Sequence, residues 1–338
     1  MKKISIKEIA KKSGFGVGTV SRALSDEPYL VKKETREKIL AVAREYGYIK
    51  NYTARTLVTG RSRDIGLVIP AIFGSLFYND YYIKIISGIM AEASSCGYKV
   101  RLLLLEVEGG FSDIMADIRS MQLEGVIMSY IYYGDFYIAK KDIREVEVPV
   151  VVLSEEVRGK NIRSVVLDDF KGGYDGASYL IGLGHKKIGI IRGIYKDIED
   201  RYKGYLEAMA DKGIEIDNDF VMQGEAAIES EGYRLTMDMI EKGKMPTALF
   251  CLDDELAVGA MRAMEEKGLN CPGDISVLGY DNMDISRFTS PRLTTMARPV
   301  IEMGKKSVEM LLSEELRKER RCFKVKAEIT ERGSCRKV

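Results

Sequence analysis

The chain has 338 residues, 46% hydrophobic and 30% charged, with a formal net charge of +1. It is too long for one typical domain and apolar enough for real cores, yet no apolar run approaches the roughly 18 residues of a membrane helix. Its five cysteines (96, 251, 271, 322, 335) lack CxxC spacing and its opening residues lack a leader-like apolar stretch, so a reducing cytoplasm is expected, without disulfides or zinc.

The even charge balance hides a strong asymmetry. Residues 1–63 carry 15 Lys and Arg against 6 Asp and Glu, a net +9, which leaves the rest of the chain acidic at −8. A basic arm beside an acidic body is the electrostatic footprint of a nucleic-acid contact. Within that arm, Ser5-Ile6-Lys7-Glu8 fits a capping box, and Ile6, Ile9 and Ala10 line one face of a first helix ending near Ser13-Gly14. A turn through Gly14–Gly16 opens a second helix, Val17 to about Ser25. Val20, Ala23 and Leu24 face inward on it, while Gly18, Ser21 and Arg22 point away and Val17 lies at the border. A third helix, about Lys33–Tyr46, buries Ile39, Leu40, Ala43 and Tyr46 and stops at Gly47. This spacing predicts a helix-turn-helix over residues 1–50, its second helix offering Arg22 to a guanine edge in a major groove. Gly14-Phe15-Gly16-Val17-Gly18 imitates a dinucleotide loop, but a helix rather than a strand precedes it.

Residues 51–63 form a tether. Asn51–Thr59 reads as a helix of about two turns, too short to persist in water without packing. From Asp64 onward apolar runs alternate with amphipathic helices. The runs are Ile65–Pro70, Val100–Leu105, Val126–Met128, Pro149–Leu153, Val165–Leu167, Ile188–Ile191, Ala248–Leu252 and Ile275–Leu278, with a last strand near Phe323–Ile329. Helices such as Tyr82–Ser95 lie between them. Such alternation implies an α/β body of parallel sheets covered on both faces, with ligands at the carboxyl ends of the strands.

Loops at those ends hold Phe77, Tyr81, Tyr82 and Tyr130, then Asp168, Arg201 and Asp254. Aromatic faces with carboxylates and a guanidinium suit a polyol. The paired aspartates sit where carboxylates cap helices, and His185 is the single histidine, so neither a catalytic triad nor a metal site is expected. No cofactor is expected either.

Glu8-Ile9-Ala10, Thr19-Val20-Ser21-Arg22-Ala23-Leu24, Thr35-Arg36-Glu37-Lys38 and Tyr46-Gly47-Tyr48-Ile49 resemble the DNA-binding head of the lactose-repressor/galactose-repressor (LacI/GalR) family of bacterial transcription regulators. Gly172-Gly173, Gly184-His185-Lys186-Lys187-Ile188, Arg201 with Gly204, Asp253-Asp254, Gly279-Tyr280-Asp281 and Pro291-Arg292-Leu293-Thr294-Thr295 extend the resemblance across almost the whole chain. It implies a helix-turn-helix head and hinge helix joined to a periplasmic-binding-protein-like body of two doubly wound subdomains, about 64–166 plus 297–322 and 167–296 plus 323–338.

The resemblance also assigns roles. Val17, Gly18 and Arg22 would read bases; Thr19, Ser21, Tyr48 and Asn51 would contact phosphates; Leu57 would wedge into the minor groove. Arg201 and Asp254 would grip an effector, with Tyr81 and Tyr82 at the stacking position. Partners would be double-stranded operator DNA, a second copy of the chain joined through the 64–153 half and a helix near Ile301–Leu312, and a small molecule. A carbohydrate is expected, with a purine or nucleoside co-repressor as the alternative and a solute-binding protein as a further one. Gly16 and Lys32 stand where the family places side-chain helix caps, Lys50 where it often has proline, and Ala226 where relatives often have an aromatic.

Overall fold

The structure, a computed structural model, describes residues 4–24, 31–48, 62–71, 80–106, 110–129, 132–133, 136–137, 140–194, 196–315 and 321–338. It divides into two units, Met1–Ser62 and Arg63–Val338.

In the first unit α1 (Ile6–Ser13), α2 (Val17–Ala23) and α3 (Lys33–Glu45) pack on one another. The capping box forms as expected: the Glu8 amide donates to Ser5 Oγ at 3.3 Å, and the Ser5 amide donates to Glu8 Oε2 at 2.7 Å. Gly14 takes a left-handed φ of 73°, which ends α1 and turns the chain toward α2. Ile9, Ala10, Val20, Ala23 and Ile39 make the buried core. Tyr46 departs from its expected burial. It is 42% exposed beyond the end of α3, and Lys12 Nζ lies 3.8 Å above its ring.

The second unit is built on two sheets. In the first, β1 (Asp64–Pro70), β2 (Lys99–Leu105), β3 (Gly125–Ser129), β6 (Val150–Leu153), β7 (Ile162–Leu167) and β13 (Cys322–Val325) run parallel in the order β13-β7-β6-β3-β1-β2. A separate two-stranded hairpin joins β4 (Tyr132–Tyr133) to β5 (Phe136–Tyr137). The second sheet has the order β14-β12-β11-β10-β8-β9. Its members are β8 (Ile188–Arg192), β9 (Val221–Gln223), β10 (Ala248–Cys251), β11 (Ser276–Asp281), β12 (Thr294–Ala297) and β14 (Glu328–Thr330), the last antiparallel. The one strand expected over Phe323–Ile329 is therefore two, one in each sheet.

Helices α4 (Asp80–Ser95), α5 (Gly110–Ser120) and α6 (Lys140–Arg144) serve the first half, and α7 (Asp169–Gly182), α8 (Lys196–Asp211), α9 (Glu229–Glu241) and α10 (Asp254–Glu266) the second. Helix α11 (Val300–Leu312) returns to pack on α4 and the first sheet. The chain thus crosses between halves three times: after β7, after β12 and after β13. Helices α7 and α8 meet through reciprocal glycines. A Cβ at Gly173 would stand 1.9 Å from the Arg201 carbonyl, and one at Gly204 would stand 2.0 Å from that of Phe170. That contact brings Arg201 beside the start of α7.

Candidate functional site

On the head, α2 divides its side chains cleanly. Val20 and Ala23 are buried, while Val17, Gly18, Ser21 and Arg22 are exposed and Thr19 is half-buried. Arg22 Nε donates to the Gly18 carbonyl at 3.2 Å, which lays the guanidinium along the outer face of the helix. Neither Gly16 nor Lys32 caps its helix with a side chain, so the amides that start α2 and α3 are unclaimed by those residues. Tyr48 is half-buried against the head core, and burial pushes its phenol pKa up. Asn51 and Leu57 lie outside the described residues, as do Phe77 and Tyr130.

In the body, the carboxyl ends of strands from both sheets converge on a chain of charges. Arg201 is the centre, its side chain only 1% exposed. Its Nε donates to Asp169 Oδ1 at 2.9 Å, its Nη1 to the Leu252 carbonyl at 2.7 Å, and its Nη2 lies 3.5 Å from Asp281 Oδ1. The Tyr280 ring backs the guanidinium at 3.9 Å. A charge so deeply buried persists because acceptors on several sides replace its water. Asp281 is shared: Arg298, on the second crossing, donates to the same Oδ1 from Nη1 at 3.1 Å. The Arg298 guanidinium in turn lies 5.2 Å above the ring of Tyr81, on the first half. The Tyr81 hydroxyl ends the chain against Ser154 Oγ at 3.0 Å and Ser129 Oγ at 3.4 Å.

The backbone at Asp281 is strained and is held by its surroundings. Asp281 has φ 108° and Asn282 has φ 54°, two consecutive left-handed non-glycine residues. Three of the bonds that fasten this loop come from the second half. The Asn282 amide donates to Thr295 Oγ1 at 3.2 Å, the Met283 amide to Asp254 Oδ2 at 2.7 Å, and Arg332 Nη2 to Asn282 Oδ1 at 2.6 Å. Thr295 Oγ1 donates onward to Asp254 Oδ1 at 2.6 Å. Asp254 is fully buried behind the loop, with both oxygens engaged and none turned to Arg201. The carboxylate that faces Arg201 from this loop is that of Asp281.

The environment sorts the carboxyls. Burial pushes the Asp254 pKa up to about 8. Burial, and then the charge of Asp281, push that of Asp253 well up. Burial also opposes ionisation of Asp281, but the Arg298 and Arg201 guanidiniums outweigh it and hold its carboxyl below the usual range. The remaining expected residues divide. Asp168 is half-buried and caps α7, its Oδ1 accepting from the Lys171 amide at 3.1 Å. Tyr82 is 1% exposed and belongs to the core, edge-on to Tyr81. Neither Asp281 nor Arg298 is singled out as a site residue by the sequence, although Asp281 ends β11 and Arg298 follows β12, where the carboxyl-end rule looks for ligand-facing groups. His185 is buried, with Nδ1 3.0 Å from Thr247 Oγ1 and Nε2 3.1 Å from Ser276 Oγ, so its bonds are structural. Among the described residues no group of three His, Cys, Asp or Glu could hold a metal, and no helix is long and apolar enough to cross a membrane.

Comparison with known proteins agrees with this division. Residues 5–51 match the bacterial regulatory proteins of the lacI family, and residues 177–335 match a periplasmic binding protein-like domain. The chain is 32% identical over 320 residues to a probable HTH-type transcriptional repressor, ExuR, of Bacillus subtilis, covering 92% of this chain and 91% of that one. It is 33% identical over 330 residues to the HTH-type transcriptional regulator MalR of Clostridium butyricum, covering 92% of each. In fold it is similar to a lac repressor dimer bound to operator and the anti-inducer ONPF, with TM-score 0.79, 24% identity, and coverage of 99% of this chain and 100% of that one. A CelR–cellobiose complex gives TM-score 0.68 at 24% identity, covering 98% and 100%. These relatives are transcriptional regulators rather than enzymes. The chain belongs to the lacI family of bacterial regulatory proteins, as a transcription regulator with a helix-turn-helix head and a body of two doubly wound α/β subdomains.

Proposed function

We propose that the chain works in the cytoplasm as a homodimeric repressor, without enzymatic activity, whose grip on operator DNA is set by a sugar bound between the halves of the body. The observation that carries this reading is the pairing of an outward-facing α2 with a separate cleft of buried, oriented charge. On the head, Val17, Gly18 and Arg22 face bases in the major groove, while Thr19, Ser21, Tyr48 and Asn51 hold phosphates and Leu57 wedges into the minor groove. In the cleft, Arg201 and Asp281 take sugar hydroxyls, with Asp168, Asp253 and Tyr81 beside them. Asp254 is a positioning residue that fixes the backbone carrying Asp281.

An apolar face on the first half supports the dimer. Ile83 and Met90 on α4, and Leu102 and Leu104 on the edge strand β2, are each 44–56% exposed. The test is footprinting of genomic fragments with and without candidate sugars. Protection that a sugar changes in the parent, but not in Arg201→Lys, supports the reading. A chain that protects no fragment under any condition sinks it. Arg22→Ala should weaken operator binding by about 1–3 kcal/mol, the worth of a bidentate base contact.

A further inference from the structure

A second hollow, of about 530 Å³, opens at the junction of the two halves. It is lined by Lys84 on α4, by Arg298, Pro299, Val300, Ile301, Glu302 and Lys305 on the crossing and first turns of α11, and by Asn282 and Arg287 beyond β11. None of Tyr81, Asp168, Arg201 or Asp253 lines it, although Arg298 and Asn282 border both this hollow and the cleft network. Arg298, paired with Asp281, is the wall between them. Four cations face one acid, Glu302, among its lining residues.

Their engagement differs. Lys84 bridges the halves already: its Nζ lies 2.5 Å from Asp80 on its own helix, 3.2 Å from the Asn282 carbonyl and 3.7 Å from Asp284 across the junction. Arg287 and Lys305 are exposed, and neither makes an ion pair with a described residue. Arg287 also stands near Arg332, close enough for the two like charges to interact. Unneutralised positive charge in a concave, partly enclosed space focuses potential there and concentrates anions. A hollow of this volume admits a small metabolite rather than a bare ion alone.

We propose that this hollow binds a small phosphate ester, with Arg287 of the second half and Lys305 of the first holding its phosphoryl group across the junction. Lysine and arginine donate charge-assisted hydrogen bonds to phosphate oxygens, and a dianion between two otherwise unopposed cations relieves their excess charge. Because the two cations belong to different halves, the occupant ties those halves together on the outer side of Arg298. Its binding is therefore linked to whatever the cleft ligand does to their separation, and the linkage is reciprocal. The site needs neither operator nor cleft ligand to be measured.

The test titrates inorganic phosphate and a hexose 6-phosphate into the full chain by calorimetry and thermal shift, with ionic strength held constant by chloride. The unphosphorylated hexose is the control. Saturable binding of phosphate to the parent is expected, tighter for the ester, with a rise in melting temperature that chloride does not give. The double variant Arg287→Gln/Lys305→Gln should lose about tenfold or more in phosphate affinity. Both side chains are exposed, so an unchanged melting temperature without ligand confirms that the variant folds. The hexose response, read through the cleft, should be equal in parent and variant. Phosphate binding that the double variant retains, or a thermal shift that chloride reproduces, overturns the proposal. Either result leaves the operator-binding reading untouched.

Discussion

The head and the body handle charge in opposite ways. The head keeps a small apolar core of Ile9, Ala10, Val20, Ala23 and Ile39 and sets its charges outside, where they face water or phosphate. The body does the reverse at its cleft. It sinks Arg201, Arg298 and Asp281 into the interior and matches them to one another and to a backbone carbonyl, and it buries the Asp254 carboxyl behind them. Exposed charge is weak locally but acts at a distance and is screened by salt. Buried charge is strong locally, indifferent to salt, and sensitive to any change of protonation or partner. One region should therefore answer to ionic strength and the other to pH.

The largest effect expected from this contrast is on operator affinity. Raising salt from about 50 to 200 mM should lower it by about 10³–10⁵-fold if the dimer neutralises six to ten phosphates. Sugar binding to the same preparation should stay nearly constant, and parallel losses would break the contrast. The next concerns Asp254, whose carboxyl titrates at about 8 in the fold and near 3.8 when free. Below both values the folded and unfolded chains carry the same proton. As pH rises from about 4 to about 8 the unfolded chain loses it first, so stability falls through that window and levels above it. The fall from this group is on the order of 5 kcal/mol. Urea midpoints of Asp254→Asn, whose amide still reaches Met283 and Thr295, should show a flatter profile than the parent. Asp281, held low, acts oppositely and costs stability only as pH drops through its acidic range.

A smaller loss, about 3–5 kcal/mol of body stability, is expected for Arg201→Ala, because Asp169 would be left without its buried cation and Asp281 would keep only Arg298. Denaturant melts should show it, and a variant as stable as the parent would mean that water reaches those carboxylates freely. Ser5→Ala should cost the head about 1 kcal/mol through the lost cap, read as faster amide exchange along α1 with no change in the body.

Much of this was legible from residues alone because the signals were local. A capping box, a glycine stop and a 3.6-residue apolar period need no tertiary information, and the head follows them. Runs such as Ile65–Pro70 announced buried parallel strands for the same reason. The cleft was harder. Asp254 follows an apolar strand and Asp281 ends one, and nothing in their order says which carboxyl turns toward Arg201. The answer lies in two left-handed residues, Asp281 and Asn282, and in a Thr295 that draws Asp254 inward. Tyr82 likewise read as a cleft aromatic beside Tyr81, but one residue along a helix is a rotation of about 100°, enough to place it in the core. The split of 323–329 into two strands carries no local signal, because the alternation of apolar and charged residues continues through the crossing.

Three separate strands of polypeptide join the halves of the body, whereas a single run of chain leads into the head. Three straps held side by side resist twisting and sideways slip more than they resist folding about a common line, so the halves are guided toward one opening coordinate. A protease cutting any one strap would leave the pieces held by the other two. For anyone exchanging parts among such proteins, grafting a foreign head takes one splice, whereas replacing half of the body means matching three seams at once.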